Sequence, residues 1–209
     1  KDICSMQNVR SRVVLEKPFG YDYKTAKRLD TEIKKLFDEE QIYRIDHYLG
    51  KESFQTIFAF RFANSFFEEH WNNEHIESIQ INALESVSAE GRYAYYDGAG
   101  AMRDMVQSHL LQLVAYLTMD EPSDLKSGSL RKTKAELLKN IRPYRVSGAN
   151  TNIVHGQYQG YLKEKGVKKN SHTETYVACK FELNTPKWRG VPIYIRTGKN
   201  LNQKETSAI

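Results

Sequence analysis

The chain has 209 residues, of which 40% are hydrophobic and 27% are charged. This composition is typical of a globular protein and excludes a disordered tail. The 31 Lys and Arg residues exceed the 26 Asp and Glu residues, but the basic residues are spread along the chain with only short groups such as residues 163–169. That spread favours a small anionic substrate over nucleic acid. Since the sequence also lacks an apolar run of roughly 18 residues, we expect neither nucleic acid nor a membrane as a partner.

The two cysteines, Cys4 and Cys179, are far apart in the sequence and belong neither to a CxxC pair nor to a cluster with histidine. Such spacing implies no metal site. We expect both thiols to be reduced and structural, as in a cytoplasmic protein.

The first 46 residues predict a strand, a helix and a second strand. Residues 12–16 are apolar and β-branched, and a loop at Lys17 and Pro18 follows them. Asp22 can cap a helix that continues to about residue 39, and residues 42–46 predict the next strand. This order favours a parallel β-α-β crossover, with Lys17 at a strand end where α/β proteins bind ligands.

The rest of the chain predicts helices followed by strands, with a turn-rich connection over residues 64–73. Helices are expected at residues 51–64, from 99–102 to about 121, and at 130–141, with a loop at 90–98. Strands are expected at residues 76–84, 154–158, 176–183 and 191–196, with a mobile polar loop at 160–172. This order favours an α+β domain with a largely antiparallel sheet.

Residues 44–52, RIDHYLGKE, combine an acid, an imidazole, a phenol and cations in one short stretch. His47, Tyr48 and Lys51 supply donors suited to one oxyanion, whereas Asp46 offers only acceptors. Each residue taken singly also fits a solvated strand end. Taken together, they favour an anion site beside an acid.

Two other residues allow both a functional and a structural interpretation. Glu85 is the first acid after a predicted strand, where a solvated strand terminus is equally plausible. His109 lies among apolar residues, a position usually occupied by a core histidine. Asp104 precedes His109 by five positions, so both can border one cleft without being stacked as an i,i+4 pair.

The stretch RIDHYLGKE resembles the signature of the glucose-6-phosphate dehydrogenase family. More of the family's pattern follows in the same order, at residues 61–64, 103–112 and 196–199, and residues 16–20 match it upstream. The resemblance implies that residues 1–46 are the tail of a Rossmann-like coenzyme domain. It implies that residues 47–209 are part of an α+β domain for substrate binding and dimerisation.

The resemblance also implies a role for each site residue. His109 would be the catalytic base, with the carboxylate of Asp46 behind it. The implied phosphate ligands are His47, Tyr48, Lys51 and Lys204, and the implied sugar ligands are Glu85, Asp104, Lys17 and Lys199. Lys17 and Pro18 would also border the nicotinamide.

The implied reaction is oxidation of glucose 6-phosphate at C1 to 6-phosphogluconolactone, the first step of the oxidative pentose phosphate pathway. NADP would accept the hydride, without a metal. The family further implies a cytoplasmic homodimer or homotetramer.

The sequence departs from the family's pattern in several places. The Gly-rich dinucleotide fingerprint is absent, and family sequence would continue beyond Ile209, so we expect an internal fragment that is inactive by itself. Tyr93 and Ser108 stand where the family usually has a small residue and Asn. The alternative hypothesis is a non-catalytic module that binds anions or nucleic acid, for which binding would depend on salt and not on His109.

Overall fold

The computed structural model describes residues 11–124, 126–142 and 152–209. Cys4 and Pro143, at which the last predicted helix was expected to end, lie outside these residues. The chain divides into two compact units, Lys1–Gly50 and Lys51–Ile209, called unit 1 and unit 2 below. The predicted boundary after residue 46 stays a prediction.

Unit 1 contains the predicted β-α-β crossover. Its elements are strand β1 (Val13–Glu16), helix α1 (Tyr23–Lys34) and strand β2 (Ile42–Ile45). The strands pair in parallel, with Val13 opposite Ile42. Asp22 caps α1 as predicted, because its carboxylate accepts a hydrogen bond of 2.8 Å from the Thr25 N–H.

Helix α1 is shorter than predicted. It ends at Lys34 instead of residue 39, and a 3₁₀ helix at Glu39–Gln41 follows. Asp38 starts this turn, since its backbone N–H donates to the Gln41 side chain (3.0 Å) and its carbonyl accepts from the Gln41 N–H (2.9 Å). Local bonding of this kind competes with the α-helix, so the apolar periodicity alone overestimates the length of α1.

Unit 2 begins with helices and continues with strands. Its helical elements are α2 (Glu52–Phe62), α3 (Ser65–His70), α4 (Tyr93–Ala101), a π-helical segment (Met102–Leu110), α5 (Leu111–Thr118) and α6 (Ser127–Lys139). Two predictions were wrong here: α3 occupies much of the expected turn-rich connection, and α4 includes residues 93–98 of the expected loop. None of the helices in the described part of the chain has the length and apolar character needed to cross a bilayer.

The strands of unit 2 form one five-stranded sheet with the order β4-β5-β6-β3-β7. The strands are β3 (Ile79–Leu84), β4 (Ile153–Gly156), β5 (Tyr176–Glu182), β6 (Pro192–Gly198) and β7 (Glu205–Ala208). Among the described strands only β3 and β6 pair in parallel within this sheet, so the predicted, largely antiparallel α+β architecture is confirmed. Strand β7 was not predicted, because its four residues, ETSA, have little apolar character.

The core of unit 2 lies between the sheet and the helices. Strand β6 alternates, with Ile193 and Ile195 fully buried and Tyr194 exposed between them, and it contacts the π-helical segment. Arg61 of α2 is also buried. It bonds to the Glu68 carboxylate (2.8 Å) and to the carbonyls of Tyr116 and Met119 (2.8 Å each), so the buried cation is paired.

The loop before β5 was predicted to be a mobile polar segment, and the structure shows it anchored to α4. The Tyr161 side chain is 1% exposed, and its hydroxyl donates to the Asp97 carboxylate (3.1 Å). The Ser171 hydroxyl donates to the same carboxylate, and the Thr173 hydroxyl donates to the Asp97 carbonyl (2.6 Å). Asp97 is therefore the main attachment point of this loop.

Candidate active site

At the ends of the two parallel strands of unit 2, a carboxylate and an ammonium group form an ion pair. Leu84 pairs with Gly198 at the end of the β3–β6 ladder, so the next residues, Glu85 and Lys199, leave the sheet at the same edge. The Glu85 N–H donates to the Gly198 carbonyl (2.9 Å), and the Lys199 ammonium donates to the Glu85 carboxylate. The structure thus brings together two residues that the resemblance assigns to the sugar.

This ion pair is half-buried and has an aromatic neighbour. The side-chain exposures are 17% for Lys199 and 32% for Glu85, and the Lys199 ammonium lies 5.5 Å from the centre of the Tyr96 ring, within cation–π range. A carboxylate and an ammonium together offer an acceptor and donors to a sugar hydroxyl. Ion pairs that water still reaches contribute little to stability, so a ligand can replace part of this one at a small cost.

Gly198 allows the strands to approach closely at this edge. A Cβ on Gly198 would lie 2.7 Å from the Tyr176 ring and 3.1 Å from the Thr175 carbonyl oxygen. Any larger residue would push β5 away from β6. The glycine in the RTGK stretch therefore has a packing role directly beside Lys199.

Asp104 and His109 lie together on the π-helical segment Met102–Leu110, with exposures of 6% and 1%. In an α-helix five residues advance about 140° beyond one full turn, so the two side chains would face different directions. A π-helix closes its hydrogen bonds between residues i and i+5, which brings residues five apart towards one side. The wider turn therefore favours a shared surface for Asp104 and His109.

Tyr96 is a residue of this region that the sequence did not reveal. Its side chain is 2% exposed, and among the described residues none hydrogen-bonds to its hydroxyl. Burial raises the pKa of Tyr96, and the charges of Asp104 and Glu174 act in the same direction. An unpaired buried hydroxyl is costly, so this one is available to a ligand or a water molecule. The sequence placed Tyr96 in a loop because an Asp-Gly pair follows it.

The other predicted site residues of unit 2 lie on its surface. Lys51 precedes α2 as its N-cap residue and is exposed, and Lys204 is exposed just before β7. Their convergence on one phosphate stays a prediction.

Unit 1 places its predicted site residues at the ends of its two parallel strands. Lys17 and Pro18 follow β1 and are joined by a cis peptide bond, and Asp46 follows β2. The Asp46 carboxylate accepts a hydrogen bond of 2.9 Å from the Tyr48 N–H, and the His47 and Tyr48 rings lie 5.2 Å apart. The pairing of Asp46 with His109 joins the two units and stays a prediction.

Comparison with known proteins identifies the family. Residues 58–209 match the family model described as "Glucose-6-phosphate dehydrogenase, C-terminal domain", and residues 1–56 match "Glucose-6-phosphate dehydrogenase, NAD binding domain". The second match defines the class, a family of dehydrogenases with a nicotinamide-dinucleotide-binding domain. The chain belongs to the glucose-6-phosphate dehydrogenase family, as the resemblance predicted.

Curated relatives agree with this assignment. The chain is 46% identical over 208 residues to glucose-6-phosphate 1-dehydrogenase of Aggregatibacter actinomycetemcomitans, and the match covers 95% of the chain and 42% of the relative. It is 44% identical over 209 residues to the Bacillus subtilis protein, covering 95% and 43%. The chain therefore spans less than half the length of these relatives.

Solved structures have the same fold. The glucose-6-phosphate 1-dehydrogenase of Mycobacterium avium superposes with a TM-score of 0.88 at 39% identity, covering 96% of the chain and 44% of that protein. A structure described as "Glucose-6-phosphate dehydrogenase in complex with its substrate glucose-6-phosphate" gives 0.88 at 38% identity, covering 97% and 43%.

Unit 1 fits part of a nicotinamide dinucleotide site. Its parallel strands end at one edge, where Glu16 pairs with Ile45 and where Lys17 and Asp46 follow. Ligands of open α/β sheets bind at the carboxyl ends of the strands, so the position of Lys17 and Pro18 fits the coenzyme side of such a crevice. The Gly-rich turn that would hold the pyrophosphate is missing from the sequence.

Proposed function

We propose that the whole protein oxidises glucose 6-phosphate at C1 to 6-phosphogluconolactone and uses NADP as the hydride acceptor. The observation that carries the proposal is the Glu85–Lys199 pair, which lies on two positions that match the family's sugar ligands. The family membership and the substrate named for a relative 38% identical support the same reaction.

Four residues have separate roles in this reaction. His109 takes the proton of the C1 hydroxyl as the C1–O bond becomes a carbonyl. Asp46 orients the imidazole and stabilises it once it is charged. When bound, the nicotinamide accepts the hydride that leaves C1. Glu85 and Lys199 hold the sugar hydroxyls so that the C1 hydrogen stays aimed at the coenzyme.

A separate group would hold the other end of the substrate. A phosphate dianion gains charge-assisted hydrogen bonds from Lys51 and Lys204, with further donors from His47 and Tyr48. Asp104 would accept a bond from a sugar hydroxyl, and Lys17 would join sugar and nicotinamide. This anchoring distinguishes the sugar phosphate from free glucose.

The location and assembly of the protein are part of the same proposal. We propose a cytoplasmic homodimer or homotetramer, with neither a membrane nor nucleic acid as partner. Burial raises the pKa of the Cys179 thiol to about 11, which keeps the thiol protonated and unreactive.

The test uses a protein of family length that contains residues 1–209. Wild type is expected to reduce NADP with glucose 6-phosphate, and His109→Asn should lower kcat by about 10²–10⁴-fold because the base is lost. His155→Asn, at an exposed position of β4, is the matched control and should leave kcat unchanged.

Salt-dependent binding of polyanions without any turnover would instead support the non-catalytic module. The ratio of kcat/KM for NADP to that for NAD tests the coenzyme choice.

A further inference from the structure

We propose that Glu174 is a positioning residue of this enzyme, because its carboxylate fixes the start of the segment that carries Asp104 and His109. The inference rests on the proposed function, since it concerns how the base and a sugar ligand are held. The resemblance to the family assigned no role to Glu174.

Two hydrogen bonds tie Glu174 to the junction between α4 and the π-helical segment. The Met102 N–H donates to the Glu174 carboxylate (2.8 Å), and the Ala101 N–H donates to the Glu174 carbonyl (2.9 Å). The first amides of a helix have no acceptor within the helix. A carboxylate at this position satisfies one of them and also interacts favourably with the helix dipole.

Gly100 makes this contact possible. Its backbone has φ 73° and ψ 169°, which breaks the α-helical path immediately before the π-helical segment. A Cβ on Gly100 would lie 2.5 Å from the Glu174 carboxylate oxygen, closer than two unbonded atoms can approach. The positive φ favours glycine, and a Cβ at this position would displace the Glu174 carboxylate.

The residue after Glu174, Thr175, connects this part of the chain to Lys199. The Thr175 carbonyl accepts a hydrogen bond of 2.9 Å from the Lys199 N–H, and the Thr175 N–H donates to the Gly156 carbonyl (2.8 Å). Thr175 is fully buried, so water does not compete for these hydrogen bonds. Residues 174 and 175 thus hold the start of the His109 segment and the backbone of Lys199 in one fixed relation.

Substitutions of Glu174 in the family-length protein test the role through turnover. Glu174→Ala removes the acceptor, and we expect kcat to fall by about tenfold to a hundredfold, the loss typical of a slightly misplaced base. The KM for NADP should stay unchanged. Glu174→Gln keeps an acceptor oxygen on a side chain of the same length, so this variant should retain most of the wild-type kcat. The side chain of Glu174→Asp is one methylene shorter, so this variant should not. Glu164→Ala in the same loop is the matched control, because the hydrogen bonds of Glu164 to Tyr161 and Val167 involve its backbone and not its side chain.

A second measurement works without turnover and on the 209-residue chain. Exchange of the Met102 amide hydrogen with solvent should be faster in Glu174→Ala than in wild type, and close to wild type in Glu174→Gln. If wild type does not oxidise glucose 6-phosphate, the proposed function fails while this exchange result still tests the contact. Equal Met102 exchange in wild type and Glu174→Ala would overturn the inference. So would equal kcat in those two proteins, or an equal loss of kcat in Glu174→Gln and Glu174→Ala.

Discussion

The two units differ in how deeply their apolar residues are buried. In unit 1, helix α1 has no buried residue, and Leu29 and Ile45 are 39% and 45% exposed. In unit 2, residues such as Ile81 and Ile195 are fully buried. Two strands are marginal in water, and three or more with a covered apolar face are needed for independent stability.

The difference divides the proposed site residues into two groups, one in a unit with a packed core and one in a unit with little core. The Glu85–Lys199 pair and the Asp104–His109 segment belong to a unit with its own core, which fixes their geometry. Lys17, Pro18 and Asp46 belong to a strand pair with little core of its own among the described residues. The comparison predicts that the sugar side of the site survives changes that disturb the coenzyme side.

The largest expected effect comes from separating the units. A peptide of residues 51–209 should fold cooperatively, because it contains the whole five-stranded sheet, whereas residues 1–50 alone should stay unfolded. Circular dichroism and the dispersion of amide NMR signals check this. A dispersed spectrum from the peptide of residues 1–50, or an unfolded peptide of residues 51–209, would contradict the comparison.

A matched pair of isoleucines gives the next largest effect. Ile195→Ala removes a fully buried side chain from β6 and should lower the free energy of unfolding of unit 2 by about 2–5 kcal/mol. Ile45→Ala, at the 45% exposed end of β2, should change stability by under about 1 kcal/mol. Urea titrations of both variants provide the numbers. Similar losses in the two variants would mean that unit 1 is packed better than its exposure indicates.

Lys199 tests the sugar side directly. Lys199→Met in the family-length protein removes the cation and keeps an apolar stem, so binding of glucose 6-phosphate should weaken by about tenfold or more. Lys180→Met is the control, because Lys180 also lies over an aromatic ring, 5.8 Å from that of Tyr194, but away from the strand-end pair. Isothermal titration gives both dissociation constants. An unchanged value in Lys199→Met would remove Lys199 from the site.

The smallest effect concerns acid stability of the loop attached to α4. Burial opposes the ionisation of Asp97, but hydrogen bonds from Ser171, the Lys168 N–H and Tyr161 lower its pKa below the ordinary 3.8. A group whose pKa is lowered by folding contributes stability above its unfolded pKa and loses that contribution as pH falls through its folded pKa. Stability should therefore drop between about pH 4 and pH 2, by on the order of 1 kcal/mol more in wild type than in Asp97→Asn.

Chemical denaturation at several pH values measures this drop. Asp120→Asn is the control, because the Asp120 side chain is 84% exposed and should not alter the slope. If wild type and Asp97→Asn lost stability in parallel below pH 4, Asp97 would have no special role in the loop.

The sequence predicts those parts of the fold that depend on local chemistry. The β-branched run before Lys17 and the Asp22 cap predict β1 and the start of α1, since both signals act within a few residues. The RIDHYLGKE motif predicts the family because it is long and specific. The strand predicted at residues 191–196 is present as β6, which continues two residues further, to Gly198, directly before Lys199.

Features that depend on distant contacts escape such reasoning. The π-helical segment is stabilised at its start by Glu174, which is 72 positions from Met102, and apolar periodicity alone predicts an ordinary α-helix there. Strand β7 exists because it pairs with β3, although its residues are polar. Likewise the lysine-rich loop is anchored through Tyr161 to Asp97, a contact that the loop's composition does not reveal.

A crystal structure of the family-length protein with glucose 6-phosphate tests the central claim most directly. The sugar hydroxyls should lie within hydrogen-bond reach of the Glu85 carboxylate and the Lys199 ammonium, on the side of unit 2 that carries His109. A sugar phosphate bound elsewhere, with the Glu85–Lys199 pair untouched, would contradict the assignment of this site.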